Sequence, residues 1–349
     1  MTSAASDARP GPGAGPARGE QRIGTVKPNG PKVVALGGGH GLYASLSALR
    51  RVTDRLTAIV TVADDGGSSG RLRRELGVLP PGDLRMALAA LCGDDEWGQT
   101  WRDVVQHRFR KEGDLQGHAV GNLLIVALWE LLGAADADAP GGSTVAGLDW
   151  VGRLLGAHGR VLPMAAVPLD IVAEVRGADP SRPDEITHVR GQVACAKTPG
   201  TVLGVSLVPA DPPACPEAIA AVEDADWIVF GPGSWFTSVL PHLKVPALAR
   251  ALVSSRARRA VALNLAPQPG ETDDFSPQTH LEVLRAHAPD LSVDVVIADS
   301  GVVDDPVALD KAVKEIGGRL VLAEVAADDG SPRHEPARLA QAFVQIFTD

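Results

Sequence analysis

Five loops carry the residues whose types and spacing could do chemistry. The first, "GGGHG" (Gly37, Gly38, Gly39, His40, Gly41), lies between an apolar run and a helical-looking Leu42–Leu46. That is the layout of a phosphate cradle, in which N–H groups at a helix start point at an anion and glycines let it approach. "ADDGGSSG" brings Asp64 and Asp65, which could accept from a ribose hydroxyl or hold a hydrated Mg²⁺, and Ser68 and Ser69 as further donors. "GPGSWFTS" (Gly231, Gly233, Ser234, then Thr237 and Ser238) is a second loop of the cradle type. "NLAPQPGET" offers Asn264, Gln268, Glu271 and Thr272 to a base or sugar, and "ADSG" completes the set.

Taken singly, each loop reads equally well as turn chemistry, an Asp-Gly turn with a serine cap being the plain account of "ADDGGSSG". The first loop also departs from two well-known phosphate motifs. The dinucleotide pattern needs glycine where Leu42 stands, and no Gly-Lys-Ser/Thr ending follows. Two further stretches supply candidates. "LPPGDLR" holds Asp83 and Arg85: Asp83 is a natural helix N-cap, and the alternative is a carboxylate and guanidinium delivered to a pocket. "GHAVGN" sets His118 and Asn122 four apart, one helical face, flanked by Gly117 and Gly121. No Ser-His-Asp order, HExxH or CxxC supports a covalent or zinc mechanism.

Something must hold these loops together, and the apolar pattern says what. Short strand-like runs fall at 32–36, 57–63, 227–230, 260–265, 294–298 and 319–325. Amphipathic helical patterns cover 42–50, 83–91, 99–109, 120–132, 216–222, 245–254 and 277–287. The alternation predicts an α/β fold, a doubly wound, Rossmann-like, mostly parallel sheet with helices over it. Residues 161–208 differ, reading as consecutive strands with turns, and are expected to form an antiparallel insertion. All five chemical loops follow predicted strands, so they should converge on one edge of the sheet, where open α/β sheets bind ligands.

Composition sets the frame. The chain has 349 residues, enough for an ample core, and carries a formal charge of −10. Residues 1–31, rich in Ala, Gly and Pro, are expected to be a disordered tail ahead of a single domain over 32–349. Within the first thirty residues the charge is +2, which leaves an acidic body poorly suited to non-specific nucleic-acid binding. No apolar stretch predicts membrane insertion, and Cys92, Cys195 and Cys215 lack metal-ligand spacing, which suits reduced, buried thiols in the cytoplasm.

In this order, "TVADDGGSSGRLRRELGVLPPGDLR", "GHAVGNLL", "VFGPGSWFTSVLP" and "QPGET" resemble the YvcK family of bacterial gluconeogenesis factors. That family is similar in turn to the CofD phospholactate transferase of deazaflavin biosynthesis. Near the C-terminus "PRHEPARL" resembles the family's Arg-His-acid element, with Arg333 and His334 in place. Two positions depart. His40 stands where the family's glycine loop has threonine, which removes a hydroxyl donor to phosphate. Pro336 stands where relatives can carry a threonine, which removes the hydroxyl that phosphorylation there would need.

The resemblance implies a cytoplasmic regulatory protein whose ligand is a nucleotide sugar, chiefly UDP-N-acetylglucosamine or UDP-glucose. It links carbon supply to cell-wall synthesis and cell shape through a protein partner, and leaves room for a homo-oligomer. The alternative is a phospholactate-transferase-like enzyme in which Asp64 or Asp65 holds Mg²⁺. A third reading, dinucleotide binding, rests on the position of Asp64 after the first glycine loop.

Overall fold

A computed structural model describes residues 30–133, 142–268, 270–273 and 275–348. In chain order it holds β1 (Val33–Gly37), α1 (Gly39–Leu49), β2 (Leu56–Val60), α2 (Gly67–Leu76), α3 (Pro81–Ala90) and α4 (Glu96–Gln106). Next come α5 (Val120–Gly133), α6 (Gly142–Leu155), β3 (Arg160–Pro163), β4 (Asp170–Arg176), β5 (Ile186–Arg190), α7 (Gln192–Cys195) and β6 (Thr201–Val208). The remainder is α8 (Pro216–Glu223), β7 (Trp227–Phe230), α9 (Pro246–Ser254), β8 (Arg258–Ala262), α10 (Pro277–His287), β9 (Val295–Asp299), α11 (Pro306–Glu315), β10 (Arg319–Ala323) and α12 (Pro336–Thr348).

Seven strands form one parallel sheet in the order β10-β9-β8-β7-β1-β2-β3. Helices lie on both sides, as in a doubly wound fold; α1 packs on α3 and α12, α8 on α9, and α10 on α11. Strands covered on both faces read as unbroken apolar runs, and β1, β7 and β9 are buried at every residue. The chain leaves β1 outward through β2 and β3, then returns to the other side of β1 as β7. The reversal opens a crevice beyond the C-terminal ends of β1 and β7, and both glycine loops sit there.

Several expected boundaries move. Val161 belongs to β3, which pairs in parallel with β2, so the antiparallel sheet β5-β4-β6 begins only at Asp170. A four-residue edge strand is too short to show its direction in sequence. β2 ends at Val60 rather than Ala63, so three residues, 61–63, separate the strand from Asp64 and Asp65. Helix α1 starts at Gly39, inside the glycine loop, three residues before the apolar pattern begins. The helix expected at 99–109 runs instead from Glu96 to Gln106, because Asp95 caps it by accepting from Gly98 N at 2.9 Å. The tail expected to reach residue 31 is packed at its end: Thr53 Oγ1 donates to the Pro31 carbonyl at 2.8 Å, and Gly30 is buried. Residues 1–29 of that tail lie outside the described residues.

Candidate functional site

The crevice is a cleft of about 650 Å³, within the range of small-ligand sites. Its floor is the pair of glycine loops. Gly38 is the N-cap of α1, so the N–H groups of Gly39, His40 and Gly41 fall in the first turn and have no partner within the helix. Gly41 touches the second loop: a Cβ there would stand 2.0 Å from the Pro232 carbonyl oxygen and 2.5 Å from Gly233 Cα. Only glycine allows that approach, and it fuses two loops nearly 200 residues apart into one surface.

Side chains fix the second loop. Asn264 accepts from Gly233 N at 2.7 Å and donates to Gly233 O at 2.9 Å, a two-way clip on a residue with φ +133°. Ser45 Oγ holds the Gly231 carbonyl at 2.9 Å. Glu271 accepts from Ser234 Oγ at 2.7 Å and from Phe236 N at 3.1 Å, capping the π-helical turn Trp235–Val239. Burial pushes the Glu271 carboxyl up, and these donors offset it in part.

Of the sequence candidates, Gly38, Gly39, His40, Gly41, Asp64, Gly233, Ser234, Asn264, Gln268 and Arg333 all line the cleft. Asp64 does two things: it faces the cleft, and its Oδ1 accepts from Gly66 N at 2.9 Å, setting the Gly-Gly turn. Burial raises its pKa. Arg333 arrives on the return of the C-terminal hairpin, where Ala327 N bonds to the Arg333 carbonyl at 2.9 Å. Its guanidinium pairs with Asp329 at 2.5 Å in an exposed setting. Beside it His334 is buried, and burial pushes its pKa down to about 4, so the ring is neutral near pH 7.

Thr237, Ser238 and Glu271 line the cleft as well, Asp65 turns to the insertion, where it accepts from Val193 N, and the remaining candidates lie behind the wall. Gly37 closes β1, its carbonyl accepting from Thr61 N at 3.0 Å, and Gly231 is buried at φ +65°. Ser69 Oγ accepts from Gly82 N at 2.9 Å and bonds to Asp64. Ser68 Oγ is a hub, 3.0 Å from His118 Nδ1 and 3.0 Å from Asn122 Nδ2. Arg85 Nε donates to Asn122 Oδ1 at 2.9 Å, and Arg85 also bonds Gln106. His118 precedes α5 instead of lying on it, so it and Asn122 meet through Ser68 and not through one helical face. This buried network braces the Asp64 turn from beneath.

Asp83 is not the N-cap of α3. Pro80 takes that position, because Pro81 fits the first helical residue, and Asp83 falls in the first turn. There it is buried directly behind the cradle, with Oδ2 unpartnered and only 2.6 Å from where a Gly38 Cβ would be. Burial, then the nearby Asp64 charge, raise its pKa to about 7, with the Gly39 N–H opposing.

One wall had no advance notice in the sequence. Gln192, Val193, Ala196 and Lys197, on and just after α7, face the glycine loops from the antiparallel insertion. A lone lysine after a four-residue helix has no motif to announce it. Among the described residues, no group of three or more His, Cys, Asp or Glu side chains is arranged to hold a metal ion.

The profile of the 2-phospho-L-lactate transferase CofD family matches residues 33–326, the whole sheet and both glycine loops. The chain belongs to the CofD family. Its relatives place it in the gluconeogenesis-factor, or YvcK, branch of that family. A Mycobacterium leprae relative is 52% identical over 317 residues, spanning 90% of this chain and 85% of its own. The gluconeogenesis factor of Listeria monocytogenes is 33% identical over 328 residues, spanning 91% of this chain and 96% of that protein. A crystal structure from Bacillus halodurans superposes with a TM-score of 0.76 at 31% identity, covering 90% of this chain and 99% of the other. No helix among the described residues of this CofD-family chain is long and apolar enough to cross a membrane.

Proposed function

We propose that the cleft binds a nucleotide sugar, UDP-N-acetylglucosamine or UDP-glucose, and that the chain is a cytoplasmic regulatory protein of the gluconeogenesis-factor type. In that role ligand occupancy biases contact with a protein partner and so couples carbon supply to cell-wall synthesis and cell shape. The observation that carries the reading is the fused floor. The first-turn N–H groups of α1, which have no partner within the helix, and the Gly233 loop share one surface at the switch point, a natural seat for a diphosphate. Around it stand polar groups for sugar and base hydroxyls, Asp64, Asn264 and Gln268, with Lys197 and Arg333 as cations. Calorimetry against UDP-sugars, GDP and NAD tests it; saturable binding selective for UDP-sugars supports it, and preference for NAD favours a dinucleotide site.

A second reading, a transferase acting on a nucleotide-activated substrate, is favoured by one observation: the unpartnered Asp83 Oδ2 beside Asp64. Those two carboxylates suit a divalent cation such as Mg²⁺, whereas Asp65 is turned to the insertion. Bound there, the ion would offset charge on a transferring phosphoryl group. In this reading Asp83, whose pKa is about 7, sheds its proton on loading, Asp64 shares the ion, and the floor N–H groups orient the diphosphate.

A further inference from the structure

We infer that Lys197 is the phosphate clamp of the second cleft wall, held in place by Asp65, Gly66, Gly191 and Gly270. The inference rests on the diphosphate reading of the cleft and names the charge that completes it. Lys197 lines the cleft in the exposed stretch just after α7, and among the described residues its ammonium has no hydrogen bond or ion pair. Arg333, by contrast, is already paired with Asp329 and Ser331. The backbone that carries Lys197 is fixed from four sides. Asp65 Oδ1 accepts from Val193 N at 3.0 Å. A Cβ on Gly66 would meet Val193 Cγ2 at 2.8 Å, and one on Gly191 would meet Asp65 Oδ2 at 2.3 Å. Gly270, at φ +78°, lies so close that its Cβ would be 2.8 Å from the Ala196 carbonyl oxygen and 3.8 Å from Lys197 Cα.

Two loops that look ligand-facing in sequence, "ADDGGSSG" and "QPGET", thus converge on the few residues around Lys197. A short helix carries little stability of its own, so it takes its position from these contacts. An ammonium on a flexible stem is suited to a diphosphate as a point charge, completing from one wall what the α1 N–H groups begin from the floor. Asp65 is then a positioning residue that acts through Lys197.

The test titrates inorganic pyrophosphate, UDP-N-acetylglucosamine and uridine into wild type, Lys197→Ala, Lys197→Arg, Asp65→Ala and Lys197→Ala/Asp65→Ala, all in EDTA. The expected result is about tenfold weaker pyrophosphate and UDP-sugar binding in Lys197→Ala, with uridine affinity and melting temperature unchanged, and recovery to within threefold in Lys197→Arg. Asp65→Ala should weaken pyrophosphate similarly, and the double variant should be no worse than Lys197→Ala alone. Pyrophosphate affinity within twofold of wild type in Lys197→Ala overturns the inference, as does a wild type that binds no pyrophosphate. Wild type that binds pyrophosphate through Lys197 but no UDP-sugar supports the clamp and refutes the nucleotide-sugar reading.

Discussion

Replacing Asp83 by asparagine keeps the shape of the side chain and removes its charge, and the structure says what that should do. The carboxyl is buried behind Gly38 and its pKa is raised from the ordinary 3.8 to about 7, first by burial and then by Asp64. A group that holds its proton more tightly in the folded state contributes stability at low pH and loses it as pH rises through the folded value. Over that interval the loss reaches about 4 kcal/mol, since each tenfold change in proton affinity is about 1.4 kcal/mol. Asp83→Asn should therefore match wild type within about 1 kcal/mol at pH 4, close to the unfolded pKa, and exceed it by about 4 kcal/mol at pH 8.5. Urea unfolding at both pH values measures it. Asp64 and Glu271, also raised by burial, are present in both proteins, so the difference between the curves isolates Asp83. Parallel curves would refute the argument, showing that water or a counter-charge already solvates Asp83.

The same carboxyl distinguishes the two functional readings: at pH 7 an anion seated on the cradle draws a proton onto Asp83, whereas a divalent cation expels one, so calorimetry in buffers of different ionisation enthalpy should show uptake with UDP-sugar in EDTA. Gly41→Ala must part the two glycine loops and should cost about 3 kcal/mol in urea unfolding, while Gly152→Ala, with nothing nearer than 3.7 Å inside α6, should be neutral or slightly stabilising. Arg333→Ala should weaken UDP-sugar binding about tenfold by calorimetry and leave the melting temperature nearly unchanged, because its ion pair with Asp329 is solvent-exposed. A lost melting temperature with intact binding would reduce Arg333 to a surface ion-pair residue.

What could be read in the sequence follows how locally each feature is encoded. The central strand Trp227–Phe230 and the helix Pro277–His287 fall where their patterns put them, because a fully buried strand is an unbroken apolar run and a proline marks a helix start. The layout of the glycine loops was legible since strand, glycine turn and helix are contiguous. Their fusion at Gly41 was not, because it joins segments far apart in the chain. Asp83 looked like a cap since it follows Pro-Pro-Gly, but proline at the first helical position shifted the cap to Pro80 and carried Asp83 into the interior. Of the helices absent from the expected elements, α6 has its period blurred by Gly147 and Gly152, whereas α11 and α12 have no glycine and no proline beyond their first residue, and their amphipathic patterns were there to be read. The α7 wall, with Lys197, is the clearest case of a feature fixed by tertiary contact alone.

The most direct test of the central proposal is to titrate UDP-N-acetylglucosamine into the full chain in EDTA, then incubate the complex with Mg²⁺, phospholactate and a deazaflavin acceptor and assay for released nucleotide. The account predicts tight, saturable binding without metal and no nucleotide released. Binding that appears only with Mg²⁺, together with product formation abolished in Asp64→Asn, would contradict it and establish the transferase.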